Sequence, residues 1–452
     1  MSNDREYYSK VRQKNNALTY SAGKLCLSAS QPLKVLVFGL GLNGGGVGSA
    51  RFFSRQGAKV TITDLKSKKA LSVSLAELSS FPGIKYVLGR HRWADFLASD
   101  LIVKNPAIPW DNPFLKKAQA QNIPITTDTI LFFSQAPTLI VGITGTKGKS
   151  TTATLLAELL KKKYSRVWLV GNIGESFLDK LPKIKSKDII VAELSSFQLE
   201  DLALAKKSPN IAIITNIFPD HLNRYSSFQE YAQAKTHIFL HQKPAEHLII
   251  DGNDEFLVKL TKKAKAKKHF LEKKNLPPLE INTALAVKAA EILGVPQKSI
   301  AKVLKNFRGL AGRQETVREL KNRIFINDTT ATNPTAVLIA LQSLSLKYQR
   351  PIVLIAGGQD KNLDYKKMAQ EINKKVKTPV LLPGNATEKL KKNLRSGFLE
   401  VKNMKEAVKK AYDLSQAGDL ILLSPGAASF NLFENEFDRG EQFNQCVKNL
   451  RK

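Results

Sequence analysis

Residues 142–152 read Gly-Ile-Thr-Gly-Thr-Lys-Gly-Lys-Ser-Thr-Thr. The stretch follows an apolar, β-branched run, Thr138-Leu-Ile-Val141, and opens a helical pattern with Leu155, Leu156, Leu159 and Leu160 on one face. Strand, glycine-rich turn and helix in that order form the context of a phosphate-binding loop. Glycines let main-chain amides approach phosphate oxygens, and the helix N-terminus adds partial positive charge. Gly145, Thr146, Lys147, Gly148 and Thr151 supply the cradle. Lys149 reaches the β/γ-phosphates and Ser150 ligates Mg²⁺. The strict spacing is broken at Ile143, which stands where the first glycine falls.

Similar units recur along the chain. Lys34–Leu40, Lys59–Asp64, Lys85–Arg90 and Asp100–Lys104 read as one set of strands. Leu139–Thr144, Val167–Val170, Asp188–Leu194, Ile211–Ile217 and His247–Asp251 read as a second. Arg323–Asp328, Pro351–Gly357, Pro379–Leu382 and Asp419–Ser424 read as a third. Near-continuous Val/Ile/Leu runs, each followed by a helical stretch, predict buried parallel strands. Three consecutive α/β domains follow: 32–135, 136–311 and 312–452, behind an extension 1–31 that reads as a tail or a lone helix. Asn333-Pro334 predicts an N-cap and a first-turn proline.

The net charge is +31, from 70 Lys+Arg against 39 Asp+Glu. It suggests polyanion binding. The charge is mostly lysine and dispersed, however, and the dense run Lys259–Lys274 has little aromatic interleaving. A solvated surface is the better reading, and a basic cleft also suits small polyanionic substrates. Cys26 and Cys446 stand at opposite ends, which argues against a disulfide framework and for a reducing, cytoplasmic setting. No window reaches the roughly 18 apolar residues of a membrane span, and the N-terminus carries no secretory apolar segment.

Gly39-Leu-Gly41-Leu-Asn43-Gly44 follows a strand, and Asp64 ends the next one, 20 residues after Gly44. This is the dinucleotide fingerprint, although any diphosphate-linked substrate needs the same turn and helix end. A nicotinamide-linked oxidoreductase is one reading, but it leaves the phosphate loop unexplained. A basic nucleic-acid-binding ATPase is another, resting on charge alone. Glu193, closing an apolar strand, suits direct or water-mediated Mg²⁺ binding or simple solvation. His221, in Thr215-Asn-Ile-Phe-Pro-Asp-His221, suits a metal ligand or a structural role. Lys235, in Tyr231-Ala-Gln-Ala-Lys-Thr, reads on its own as an ordinary surface lysine.

The loop at 142–152, the segment Ala192–Glu200, the segment Asn216–Tyr225 and Leu423-Ser-Pro-Gly-Ala-Ala-Ser429 occur in the order found in the Mur ligases. Together they resemble that family over roughly residues 33–450. The Glu193-Leu-Ser-Ser-Phe-Gln-Leu-Glu200 and Leu423–Ser429 segments are most similar to members that add D-glutamate to UDP-N-acetylmuramoyl-L-alanine. The resemblance implies a Rossmann-like UDP-sugar domain, a central phosphate-loop ATP domain and a Rossmann-like C-terminal amino-acid domain. It implies ATP-dependent amide ligation through an acyl phosphate, in peptidoglycan precursor synthesis, with two Mg²⁺ ions and ATP as co-substrate. It implies a cytoplasmic monomer, with neither nucleic acid nor membrane as partner.

Carried across, Lys149 and Ser150 hold phosphate and Mg²⁺, Glu193 and His221 help bind metal, and Lys235 matches a lysine that becomes a carbamate ligand. Asn282 matches an adenine contact, Arg313 a phosphate contact and Asp328 a ribose contact. Gly41, Leu42 and Asn43 match the diphosphate turn, Asp64 and Leu65 the uracil region, and Asn105 and Asn172 further UDP-sugar contacts. Thr332, Lys361 and Ser429 match contacts to the incoming amino acid. The chain departs from the family pattern where Thr330 replaces a lysine and Glu436 replaces a phenylalanine, with Phe437 beside it. It also lacks a Gly-x-His-Asn segment before Asn282, and Gly312-Arg313 replaces a His-Arg pair. A purely folate-directed member would leave the first glycine turn without a diphosphate.

Overall fold

A computed structural model describes residues 19–21, 24–26, 32–42, 44–173, 176–221, 224–272, 278–307, 309–395, 397–429 and 432–450. The described chain divides into two compact units. The first holds the described residues up to 272 together with 282–303, and the second holds 278–281 and 304–450. Strands β1 (Thr19–Ser21) and β2 (Lys24–Cys26) form a small antiparallel hairpin. This corrects the tail-or-helix reading for those six residues; the rest of 1–31, and Asn43, lie outside the described residues.

The first unit carries two parallel sheets. One contains β3 (Lys34–Phe38), β4 (Lys59–Asp64), β5 (Lys85–Leu88), β6 (Leu101–Lys104) and β7 (Ile125–Thr126), ordered β5-β4-β3-β6-β7. The chain winds one way from β3 and then returns to β6 on its other side, which opens a crevice at the carboxyl ends of β3 and β6. The other contains β8 (Ile140–Thr144), β9 (Val167–Gly171), β10 (Ile189–Glu193), β11 (Ile211–Ile214), β12 (His247–Asp251) and β13 (Lys267–Leu271). Its order, β13-β12-β11-β8-β10-β9, places β8 between β10 and β11. The phosphate loop, Glu193 and the segment after β11 therefore leave the sheet side by side.

The second unit contains β14 (Glu315–Leu320), β15 (Arg323–Asn327), β16 (Ile352–Gly357), β17 (Val376–Leu382), β18 (Leu399–Glu400) and β19 (Leu420–Leu423). The order is β14-β15-β19-β16-β17-β18, parallel except for the antiparallel edge strand β14. The expected helix begins at Pro334, and the Asn333 side chain accepts from the Ala336 amide. Sequence reading missed β7, β13, β14 and β18. These are short or edge strands, and the β13 sequence Lys-Lys-His-Phe-Leu hides its period in charge. Lys259, Lys262, Lys263, Lys265, Lys267 and Lys268 are exposed, as a solvated surface requires. Among the described residues no helix is long and apolar enough to cross a membrane.

One continuous core joins the two sheets of the first unit. Phe52 and Phe53, from helix Gly45–Arg55, share it with Phe132, Phe177, Val170 and Leu199. The packing is tightest at Gly48, where a Cβ atom would fall 1.8 Å from Ser176 Oγ and 2.4 Å from Ser176 Cβ. Gly48→Ala should therefore destabilise by about 1–3 kcal/mol through overpacking, despite the better helix propensity of alanine. Gly83 has nothing within 4 Å of its Cβ position, so Gly83→Ala should be neutral or stabilising by about 0.4–1 kcal/mol. Denaturant melts compare the two; equal stabilities would contradict the close helix contact.

Candidate active site

The loop after β8 is held by the residues after β11. Thr146 N–H donates to the Asn216 carbonyl at 2.9 Å, and the Thr146 hydroxyl accepts from Phe218 N–H at 3.1 Å. Lys147 N–H donates to Asn216 Oδ1 at 2.9 Å, while Asn216 Nδ2 donates back to the Lys147 carbonyl at 3.0 Å. The Thr215 hydroxyl donates to the same carbonyl at 2.6 Å. Gly145 adopts φ +148°, and a Cβ there would lie 2.0 Å from Thr215 Oγ1. Gly148 adopts φ +86° as the N-cap of helix Lys149–Leu160, and a Cβ there would meet the Asn282 amide at 2.4 Å. Only glycine satisfies both the left-handed backbone and the close approach. Asn282, on helix Pro278–Ile292, is thus brought against the loop. Ser150 and Thr151 are buried in the first turn of the loop helix.

Lys149 Nζ donates to the Gly145 carbonyl at 2.9 Å and to the Thr146 carbonyl at 3.1 Å. Lys235 Nζ donates to the same Gly145 carbonyl at 3.1 Å. Lys235 sits on helix Phe228–Thr236, whose N-cap Ser227 accepts from Glu230 N–H. It is only 1% exposed, so the surface-lysine reading is wrong. The flanking Tyr231, Ala232, Ala234 and Thr236 are buried too, and the lysine lies 4.7 Å from the Tyr231 ring. Burial, and then the Lys149 charge, push the Lys235 amine well below its usual range.

Glu193 closes β10 and is 1% exposed. Its Oε1 accepts from Asn172 Nδ2 at 3.0 Å; its buried Oε2 has no hydrogen-bond partner among the described residues. The chain turns directly into helix Ser196–Ala205 through a capping box, Ser195 Oγ to Gln198 N–H and Gln198 Oε1 to Ser195 N–H. His221 holds φ +53°, an uncommon backbone state for a non-glycine residue that marks a site worth attention. Its ring packs on Phe197 and Tyr231 with an exposed edge. Desolvation, reinforced by Lys235, Lys149 and Lys147, keeps the imidazole below its ordinary value, hence neutral and able to ligate. The orphaned Glu193 oxygen, the Ser150 hydroxyl and the neutral imidazole are donor types that suit Mg²⁺. Among the described residues no three His, Cys, Asp or Glu side chains form a metal-binding group.

At the first sheet, Gly39, Gly41 and Gly44 all adopt positive φ. The Asp64 carboxylate staples this turn, accepting from Gly41 N–H at 3.0 Å and Lys66 N–H at 2.9 Å. Leu42 and Leu65 stand exposed on either side, 59% and 67%. Asn105 Nδ2 donates to the Gly39 carbonyl, and its Oδ1 accepts from Ala107 N–H. A shallow pocket lies under the turn, lined in part by Gly45, Ser49, Lys104, Asn105 and Asp128.

In the second unit, Asp328 ends the β15 region and accepts from Ser424 Oγ at 2.9 Å and Gln314 N–H at 3.2 Å. Arg313, half-buried, adjoins it in sequence to Gln314. Lys361 Nζ donates to Thr332 Oγ1 at 3.3 Å. Ser429 is buried, with its hydroxyl unpartnered among the described residues, one residue past the Gln359–Ala428 bridge. The Thr330 hydroxyl, in place of the family lysine, donates to the Gly312 carbonyl. Glu436 is half-buried and Phe437 is 63% exposed.

Sequence reading gave no role to Asn216, Thr215, Asp128 or Arg439. The position of Asn216 just past a strand end was the available signal. Arg439 is fully buried and donates to the carbonyls of Ala427 and Thr329 and to the Thr329 hydroxyl, tying the loops after β15 and β19 together. Only its place on a helix face could have hinted at that.

A phosphate-loop centre, a second glycine-turn site and a further mostly parallel sheet suit a nucleotide-dependent enzyme, and comparison with known families says of which kind. Residues 33–127 match the Mur ligase MurD-like N-terminal domain, 143–301 the Mur ligase middle domain and 312–426 the Mur ligase, glutamate ligase domain. The chain is 36% identical over 464 residues to the UDP-N-acetylmuramoylalanine--D-glutamate ligase of Roseiflexus sp., covering 92% of this chain and 98% of that one. It is 38% identical to the enzyme of the same name from Borreliella afzelii, with the same coverage. The chain belongs to the Mur ligase family. Solved structures share the fold at low identity. UDP-N-acetylmuramate-alanine ligase MurC from Thermotoga maritima has a TM-score of 0.56 at 20% identity, covering 92% of this chain and 99% of that one. MurF ligase from Thermotoga maritima in complex with ADP has a TM-score of 0.59 at 15% identity, covering 86% and 95%.

Asp128 supplies a test of the electrostatics under the glycine turn. Burial, and then the Asp201 charge, raise its carboxyl to about 6. A raised carboxyl stabilises the fold when protonated, and that contribution is lost as pH rises through about 6. Asp128→Asn keeps the acceptor for Thr129 N–H. Its stability relative to wild type should improve by about 3 kcal/mol between about pH 4 and pH 7.5. Urea melts across that range measure it; a pH-independent difference would contradict the assignment.

Proposed function

We propose that the chain ligates D-glutamate to UDP-N-acetylmuramoyl-L-alanine with ATP, as its relatives' name describes. A buried Lys235 bonded to the phosphate loop, and an orphaned Glu193 oxygen on the adjoining strand, carry this reading. We assign the UDP-sugar to 32–135, ATP to 136–311 and the amino acid to 312–452, in a cytoplasmic monomer making peptidoglycan precursors.

Direct attack of an amine on a carboxylate needs an oxide leaving group, which is very poor. The L-alanyl carboxylate oxygen instead attacks the γ-phosphorus of ATP, ADP departs, and an acyl phosphate forms. The free amine of D-glutamate then attacks the acyl carbon, and the tetrahedral intermediate collapses with loss of inorganic phosphate. The chain contributes position and charge. The amides of Gly145–Thr151 cradle the phosphates, with Lys149 countering their charge. Asn282 takes the adenine. Ser150, Glu193, His221 and a carbamylated Lys235 would hold two Mg²⁺ ions, which neutralise phosphate charge when bound. Gly41, Leu42, Asn43, Asp64, Leu65, Asn105 and Asn172 receive the UDP-sugar, and Thr332, Lys361 and Ser429 the amino acid.

Thr330 and Glu436 favour a second reading, a Mur-type ligase that adds another amino acid. Phosphate release with UDP-N-acetylmuramoyl-L-alanine, ATP and a panel of amino acids decides between them. Release with D-glutamate is expected; release only with another acid would refute the first reading. Lys149→Ala should lower turnover by at least about 100-fold, as the loop loses its phosphate-facing cation. Lys235→Ala should be inactive and partly rescued by added short carboxylates; full activity without rescue would dispose of the carbamate.

A further inference from the structure

Lys104, at the end of β6, and Asp201, on helix Ser196–Ala205, form an ion pair of 3.2 Å whose side chains are 1% and 0% exposed. The Asp201 Oδ1 also accepts from Trp110 Nε1 at 2.9 Å. Lys104 donates onward to the carbonyls of Asn105 and Ile108 and lies 4.7 Å from the Trp110 ring. The neighbouring Glu200 accepts from Arg224 at 3.1 Å, and Arg224 donates to the Ala107 carbonyl at 2.8 Å. The Arg224 guanidinium lies 4.3 Å from the Phe197 ring of the same helix. Two successive carboxylates of one helix thus grip one loop, 105–110, by separate routes.

That helix begins three residues after Glu193, and Arg224 follows His221 by three residues. The loop carries Asn105, which supports the glycine turn. A buried ion pair is costly, and apolar residues of like volume often serve stability as well or better. Burial pushes the Lys104 amine down and the Asp201 carboxyl up, and the buried Asp128 faces both. What the charges supply is a fixed register between loop and helix.

We propose that Asp201 and Arg224 are positioning residues for the UDP-sugar, holding loop 105–110 in its binding conformation from the helix that follows Glu193 and the segment that carries His221. The proposal rests on reading the first sheet as the UDP-sugar site. It extends that reading to residues that act on the loop.

Lys104→Met/Asp201→Leu removes both buried charges together, and half-buried Trp110 can turn its N–H to water. Arg224→Gln is a milder second variant, on a half-buried residue. Calorimetric titration of the full chain with UDP-N-acetylmuramoyl-L-alanine, and separately with ADP, gives the readout, with thermal melts as the fold control. The UDP-sugar Kd should rise about tenfold in the double variant and about threefold in Arg224→Gln, with the ADP Kd within about twofold of wild type. Unchanged UDP-sugar affinity in a folded variant, or a parallel loss for ADP, overturns the proposal. If the double variant does not fold, Arg224→Gln decides alone by the same criteria. A wild-type chain that fails to bind the UDP-sugar overturns the functional reading itself, and this inference with it.

Discussion

Two lysine ammonium groups converge on one oxygen, the Gly145 carbonyl. Lys149 reaches it at 2.9 Å and Lys235 at 3.1 Å, the latter from a buried helix position. Two like charges within about 6 Å of each other repel by about 3 kcal/mol at an effective dielectric near 20. Burial adds a desolvation cost to Lys235. The arrangement relaxes if Lys235 is neutral, and a neutral amine is the form that adds to carbon dioxide. The proposed carbamylation would turn a cation beside the loop into an anion, and a repulsive pair into an attractive one. It would also add an anionic oxygen donor near Glu193 and His221.

The strand order makes this meeting possible. With β8 central, the phosphate loop leaves the sheet between the ends of β10 and β11. Glu193 and the 215–221 segment therefore flank it without any long excursion. Thr215 and Asn216 pin the loop by side-chain bonds to its backbone. The close Gly48–Ser176 contact and the Lys104–Asp201 pair then tie the first sheet to the second.

The strands with long apolar runs were legible in the sequence, because burial on both faces leaves little else to encode. The β13 and β14 edges were not, since half their residues face water and carry charge. Lys149, Ser150 and Glu193 were legible because glycine spacing and strand ends are local signals. Lys235 was misread on local grounds, as nothing within Tyr231–Thr236 announces that its helix packs against a loop some 90 residues away in sequence. The resemblance to the family corrected it. Asp201 and Arg439 escaped both routes, because each acts through partners that only the fold brings near.

The charge inversion at Lys235 is the claim most open to direct measurement. Protein equilibrated with ¹³C-bicarbonate at neutral pH and examined by ¹³C NMR should show one slowly exchanging carbamate resonance. That resonance should be absent from Lys235→Ala. A wild-type spectrum without it, or one in which the resonance survives loss of Lys235, would contradict the account.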